Sequence, residues 1–158
     1  MIPNTSSKLR NVAFVSHSGA GKTTIVETLL HMSGATNRCG RVEDQNTVSD
    51  FDPEEHKRGI SVNLAVVPVE VEGHKINLID TPGYLDFAGE AKNALRVADA
   101  AVVVVDAVSG VEVGTELMSE FVRERGIPRL IFINKMDRDT ARYQKALDSI
   151  KDAFDVKI

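Results

Sequence analysis

Ser16-His17-Ser18-Gly19-Ala20-Gly21-Lys22-Thr23 is the stretch that decides the fold. Before it runs an apolar segment, Val12 to Ser16, and after it, from Lys22 to His31, Ile25, Val26, Leu29 and Leu30 recur at helical spacing. The opening unit is therefore strand, glycine turn, helix. The octet matches G-x-x-x-x-G-K-[ST] at every fixed position but the first, where Ser16 replaces glycine. Gly19 and Gly21 let the backbone approach a phosphate closely and turn its N–H groups inward. Lys22 supplies positive charge for the outer phosphates, the helix start adds its partial positive end, and the Thr23 hydroxyl can take a magnesium ion. Ser16, His17, Ser18, Gly19, Ala20, Gly21, Lys22, Thr23 and Thr24 are thus the candidate phosphate-binding residues.

Downstream, periodicity stops from Ser33 to Gly59, a stretch long enough inside one domain to be functional. Within it Asp52-Pro53-Glu54-Glu55 is a helix-start signal, with aspartate as cap and proline at the first helical position. Val62 to Val71 and Lys75 to Ile79, joined by Glu72-Gly73, predict a β-hairpin. Then come a helix over Ala88 to Val97, a strand over Ala100 to Val105, a helix around Glu112 to Arg125, a strand over Leu130 to Ile133 and a helix from Thr140 to Phe154. Buried valine and isoleucine runs alternating with amphipathic helices predict an α/β fold with a mostly parallel, twisted sheet and helices on both faces. Ligands of such folds bind at the carboxyl ends of strands.

Two further motifs fall at strand ends. In Asp80-Thr81-Pro82-Gly83 the carboxylate can hold magnesium through a bound water, and the Gly83 N–H can reach a γ-phosphate. In Asn134-Lys135-Met136-Asp137 the Asp137 carboxylate can accept the N1–H and exocyclic amine of guanine, while Asn134 holds the base edge and the Lys135 stem covers its plane. Adenine offers neither donor, and a site built around such bonds rejects an analogue lacking them by about 10⁴-fold or more.

The bulk numbers fit this reading. The chain has 158 residues, a formal net charge of −4 and 42% hydrophobic residues, which suits one soluble domain and gives no electrostatic pull toward nucleic acid. Its longest apolar run, Ala100 to Val105, is too short to cross a bilayer, and Met1 to Arg10 lack the apolar core of a secretory signal. A cytoplasmic location, no membrane contact and a monomer are the expectations. A single cysteine, Cys39, cannot form an internal disulfide.

With the three motifs in this order, and with Lys57-Arg58-Gly59-Ile60-Ser61, Asp80 to Phe87 (DTPGYLDF), Val105-Asp106-Ala107 through Gly110-Val111 and Asn134 to Arg138 (NKMDR), the chain resembles the GTPase domain of translation factors, closest to the elongation factor G group. The resemblance implies the P-loop NTPase fold. Residues 1–158 would be the N-terminal part of the GTP-binding domain, lacking its last strand and helix, with further domains outside the chain. It also implies binding of GTP and Mg²⁺ and hydrolysis to GDP and phosphate in association with the ribosome. Ser61 would then join Thr23 and Asp80 at the metal, since the family carries a threonine there. Ser33 to Ser61 and Asp80 to about Gly89 would be switches that report the γ-phosphate, the first mobile until that phosphate binds. Lys22 and Tyr84 are the candidate catalytic residues. Tyr84 stands where elongation factors carry the histidine that orients the attacking water, so slow hydrolysis, or a switch module with little hydrolysis, is one alternative. A release-factor or ribosomal-protection role is another.

Overall fold

The computed structural model describes residues 5–154. The sequence reading of the first four residues as polar and signal-free, and the chain end at Ile158, lie outside the described residues. In chain order the elements are β1 (Leu9–Val15), α1 (Lys22–Met32), α2 (Pro53–Arg58), β2 (Ala65–Val71), β3 (His74–Asp80), α3 (Ala88–Val97), β4 (Ala100–Asp106), α4 (Val113–Glu124), β5 (Arg129–Asn134) and α5 (Tyr143–Phe154). They build one five-stranded sheet of order β2-β3-β1-β4-β5. Only β2 runs antiparallel to its neighbour. The hairpin between β2 and β3 turns on Glu72 and Gly73, both at positive φ (49° and 76°), the two-residue geometry that matches strand twist.

The sheet has a core on each face. On one, Ala13, Val15, Val103 and Val105 pack with Leu95 of α3, Met118 and Val122 of α4 and Ile150 of α5. On the other, Phe14, Leu78 and Val104 pack with Val26 and Leu30 of α1. Val103, Val104 and Val105 are all fully buried, as a central parallel strand requires, and each stabilises the fold by about 1.5–3 kcal/mol. On the α1 face the sheet is covered only in part, because Leu130 and Phe132 of β5 remain 60% and 40% exposed.

Three boundaries differ by three residues from those read in the sequence, each for a tertiary reason. β1 begins at Leu9 rather than Val12, because the polar Arg10 and Asn11 still pair in parallel with Ile76 and Asn77. β2 begins at Ala65 rather than Val62, because the Val62 and Asn63 N–H groups donate to Glu55 Oε1 at 2.9 and 3.0 Å instead of to a strand. α5 begins at Tyr143 rather than Thr140, because the Arg142 N–H is taken by the Ala107 carbonyl at 3.1 Å.

Parallel pairing decides where the motifs meet. Phe14 lies opposite Asp80, and Asp106 opposite Asn134, so the carboxyl ends of β1, β3, β4 and β5 open on one edge of the sheet.

Candidate functional site

At that edge a cleft of about 550 Å³ is walled by the glycine turn, the loop before Ser61, the Gly83–Tyr84 segment and the Asn134–Arg138 loop. Gly21 caps α1 in the left-handed region (φ 96°), and a Cβ there would collide with the Asn134 side chain. Glycine is therefore required by conformation and by contact. Asn134 Nδ2 donates to the Ala20 carbonyl at 2.9 Å, and Lys135 Nζ donates to the Gly19 carbonyl at 2.5 Å and to Asp106 Oδ2 at 2.6 Å. The first two bonds tie the Asn134–Asp137 loop to the glycine turn, and the third ties it to the end of β4. Asp137 itself is exposed at the cleft wall.

Asp106 entered the sequence analysis only through the resemblance, yet it anchors this loop. Burial pushes its carboxyl up, but the Lys135 ammonium and the Val108 N–H outweigh that and leave it below the ordinary carboxylate value.

Deeper in the cleft, Lys22 is buried and donates to Ser16 Oγ at 3.3 Å and to the His17 carbonyl at 3.2 Å. Burial lowers its ammonium to about 8, against the pull of Asp80 and Asp50, and an anionic ligand would raise it again. Ser16, the departure from the glycine motif, is buried, accepts from Lys22 and donates to the His17 carbonyl at 2.9 Å. Gly83 leans on the turn so closely that a Cβ would come within 2.5 Å of Lys22 Nζ and 2.7 Å of the Ser18 backbone. Gly19, Gly21, Lys22, Thr23, Thr24 and Ser18 line the cleft. Ser16, Ala20 and Asp80 lie behind its wall as buried residues. His17 faces away, its N–H bonded to Thr115 Oγ1 at 3.0 Å and its ring Nδ1 accepting from Gly114 N–H at 3.3 Å.

Asp80 is buried with no hydrogen-bond partner on either carboxylate oxygen. Burial raises it to about 6, and the nearby Thr23 hydroxyl and Lys22 charge temper the shift without Thr23 making a bond of good geometry. Thr23 Oγ1 lies 3.3 Å from Ser61 Oγ, which donates to Asp50 Oδ1 at 2.7 Å. Asp50 is also raised, first by burial and then by the Glu55 and Glu27 carboxylates, with the Ser61 hydroxyl opposing. Hydroxyls of Thr23 and Ser61 beside two buried carboxylates fit a hard cation that keeps part of its water shell, as magnesium does. Among the described residues no group of three His, Cys, Asp or Glu is arranged for a metal, so a cation here would need hydroxyls and water among its ligands. The sequence analysis missed Asp50, which has no motif of its own and reaches the site through the fold of its loop.

Tyr84 lines the cleft and is 43% exposed. No helix among the described residues is long and apolar enough to cross a membrane.

Comparison with known proteins agrees with this geometry. The family model described as "Elongation factor Tu GTP binding domain" matches residues 7–158. Elongation factor G 2 of Streptomyces coelicolor is 46% identical over 152 residues, covering 96% of this chain and 22% of that protein. Mitochondrial ribosome-releasing factor 2 of Mus musculus is 42% identical over 151 residues, covering 96% of this chain and 19% of that protein. A crystal structure of a Thermus thermophilus protein superposes with a TM-score of 0.88 at 41% identity, over 93% of this chain and 22% of that one. The chain thus spans about a fifth of the length of these relatives. The resemblance to the elongation factor G group read from the motifs is borne out, and the chain belongs to the elongation factor Tu GTP-binding domain family.

Proposed function

We propose that this chain is the nucleotide-binding part of a translational GTPase, which binds GTP with Mg²⁺ and hydrolyses it to GDP and phosphate in association with the ribosome. One observation carries the reading. The buried, unpartnered Asp80 carboxylate sits beside Lys22, Thr23 and Ser61 at the deep end of a cleft whose rim carries Asp137. Such a carboxylate is costly unless a ligand completes it, and a magnesium–triphosphate has the complementary charge. In this assignment Lys22 and the N–H groups of the glycine turn hold the phosphates, and Asn134, Lys135 and Asp137 hold guanine. Thr23 and Ser61, with Asp80 behind water, hold the metal, which when bound neutralises the phosphate oxygens. Gly83 donates to the γ-phosphate, and the segments around it and Ser61 report that group's presence.

The test is competition binding of a fluorescent guanine nucleotide against GTP, GDP and ATP, with Mg²⁺ and with chelator. Single-turnover phosphate release with and without ribosomes follows. Binding that neither discriminates ATP nor responds to Mg²⁺ overturns the reading.

A second reading concerns rate. Tyr84 lines the cleft and is partly exposed, and a phenol accepts protons poorly at neutral pH, which supports slow hydrolysis. Relatives named for elongation and for ribosome release match this core alike, so the core does not distinguish one ribosomal step from another. The uncovered Leu130 and Phe132 support a further element packing over β5.

A further inference from the structure

Glu27 is the most buried charged residue of the described chain, with no exposed surface. It stands one helical turn after Thr23, on the same side of α1. None of the ion pairs among the described residues includes it. Its Oε1 instead accepts the backbone N–H groups of Val48 at 2.7 Å and Ser49 at 3.3 Å. Its Oε2 has no partner and fills the space a Cβ on Gly40 would need. An apolar side chain here would extend the Val26 and Leu30 face without the cost of a buried charge, so a carboxylate calls for another reason.

That reason lies in the next residues. Ser49 leads into Asp50, Asp50 accepts from Ser61, and Ser61 returns to Thr23. The loop lacks apolar anchors here, since Val48 and Phe51 are 44% and 70% exposed. On the far side buried Glu55 does the matching work, taking the N–H groups of Asp52, Val62 and Asn63. We propose that Glu27 is a positioning residue for the magnesium–nucleotide site. By holding the Val48 and Ser49 amides it sets Asp50 and Ser61 against Thr23 before nucleotide arrives. The inference rests on the assignment of Thr23, Ser61 and Asp80 to the metal. It also narrows the expectation that the whole Ser33–Ser61 segment is mobile without a γ-phosphate, since residues 48–61 are held from within.

The test uses three variants of the full-length protein. Glu27→Ala removes both acceptors, and Glu27→Gln keeps one acceptor oxygen. Gly40→Ala leaves α1 intact but drives a methyl against Glu27 Oε2 and to 2.8 Å from the Thr47 Cα. The first readout is amide hydrogen exchange in the nucleotide-free protein, which depends on neither metal nor nucleotide. The second is the Mg²⁺ concentration that half-maximally slows release of a fluorescent GDP, compared with the affinity in chelator. Glu27→Ala and Gly40→Ala should speed exchange at Val48 and Ser49 at least tenfold and raise the half-saturating Mg²⁺ several-fold. Affinity in chelator should hold, and Glu27→Gln should restore most of both. Unchanged exchange at Val48 and Ser49, or an equal loss with and without Mg²⁺ alongside a lower Tm, overturns the proposal and leaves Glu27 a structural residue. If Glu27→Ala does not fold, Gly40→Ala carries the same decision. Wild type that shows this protection but binds no guanine nucleotide would refute the proposed function and not the amide latch.

Discussion

Lys135 Nζ lies 2.6 Å from Asp106 Oδ2 while also donating to the Gly19 carbonyl. The ammonium thus fastens the proposed base loop to the end of β4 and to the phosphate-binding turn, and holds Lys135 itself at an unusual φ of 61°. The two halves of the proposed nucleotide site are set relative to one another by this cation together with the Asn134 bond to the Ala20 carbonyl.

Breaking that tie from the Asp106 side should loosen both halves together. Asp106→Asn is expected to weaken GTP and GDP by a similar factor, about tenfold from loss of one charge-assisted bond, without changing base preference. Its pH signature follows from the sign of the shift. Asp106 lies below its ordinary value of 3.8 in the folded chain, so its stabilisation is full above that value and is lost as pH falls through the lower folded value. Thermal melts should show a constant Tm gap between wild type and variant from pH 5 to 8, closing below about pH 4. A gap that closes near neutrality contradicts the pairing.

Asp80 predicts a trade between stability and function. Its carboxyl is raised to about 6 by burial, so the neutral form favours folding below the unfolded value of 3.8, and that advantage is lost as pH rises through 6. Asp80→Asn should therefore stabilise the nucleotide-free chain above pH 6, by about 1–2 kcal/mol once the lost attraction to Lys22 is deducted, and barely at all below pH 4. The same change should abolish the effect of Mg²⁺ on nucleotide affinity. Chemical denaturation in chelator, paired with Mg²⁺ titration, checks both halves. A destabilised variant that still responds to Mg²⁺ counts against the metal assignment.

In the proposed assignment, base choice rests on Asp137. Replacing it with asparagine should cost GTP affinity at least about 10²-fold and favour xanthosine triphosphate, because the amide donates to the added C2 oxygen that a carboxylate repels. Competition binding of the two triphosphates measures this directly, and an unchanged preference removes Asp137 from the base site.

The role proposed for Tyr84 bears on rate and not on binding. In a full-length protein Tyr84→His should raise ribosome-stimulated phosphate release, leaving GTP affinity nearly unchanged, since phosphoryl transfer depends on how the attacking water is positioned. Single-turnover release at saturating ribosomes compares the two. If wild type already turns over rapidly and the histidine slows it, the tyrosine is an adapted catalytic group.

The alternation of strands and helices, the order of the three motifs and the identities of Lys22, Thr23, Asp80 and Asn134 to Asp137 were all legible in the residues alone. Each leaves a local mark: a period of hydrophobicity, a glycine that must turn, a fixed spacing between groups proposed to act on one ligand. What holds those groups in place emerged only from the folded chain. Glu27 in α1 and Glu55 in α2 carry no mark of burial in the sequence, yet both are buried and spend their oxygens on backbone N–H groups. Asp50 and Asp106 likewise gain their partners only when distant segments meet. A side chain that bonds to backbone places no demand on its partner's identity, so it writes no pattern into the partner's sequence. Such contacts become visible only once the chain has folded around them.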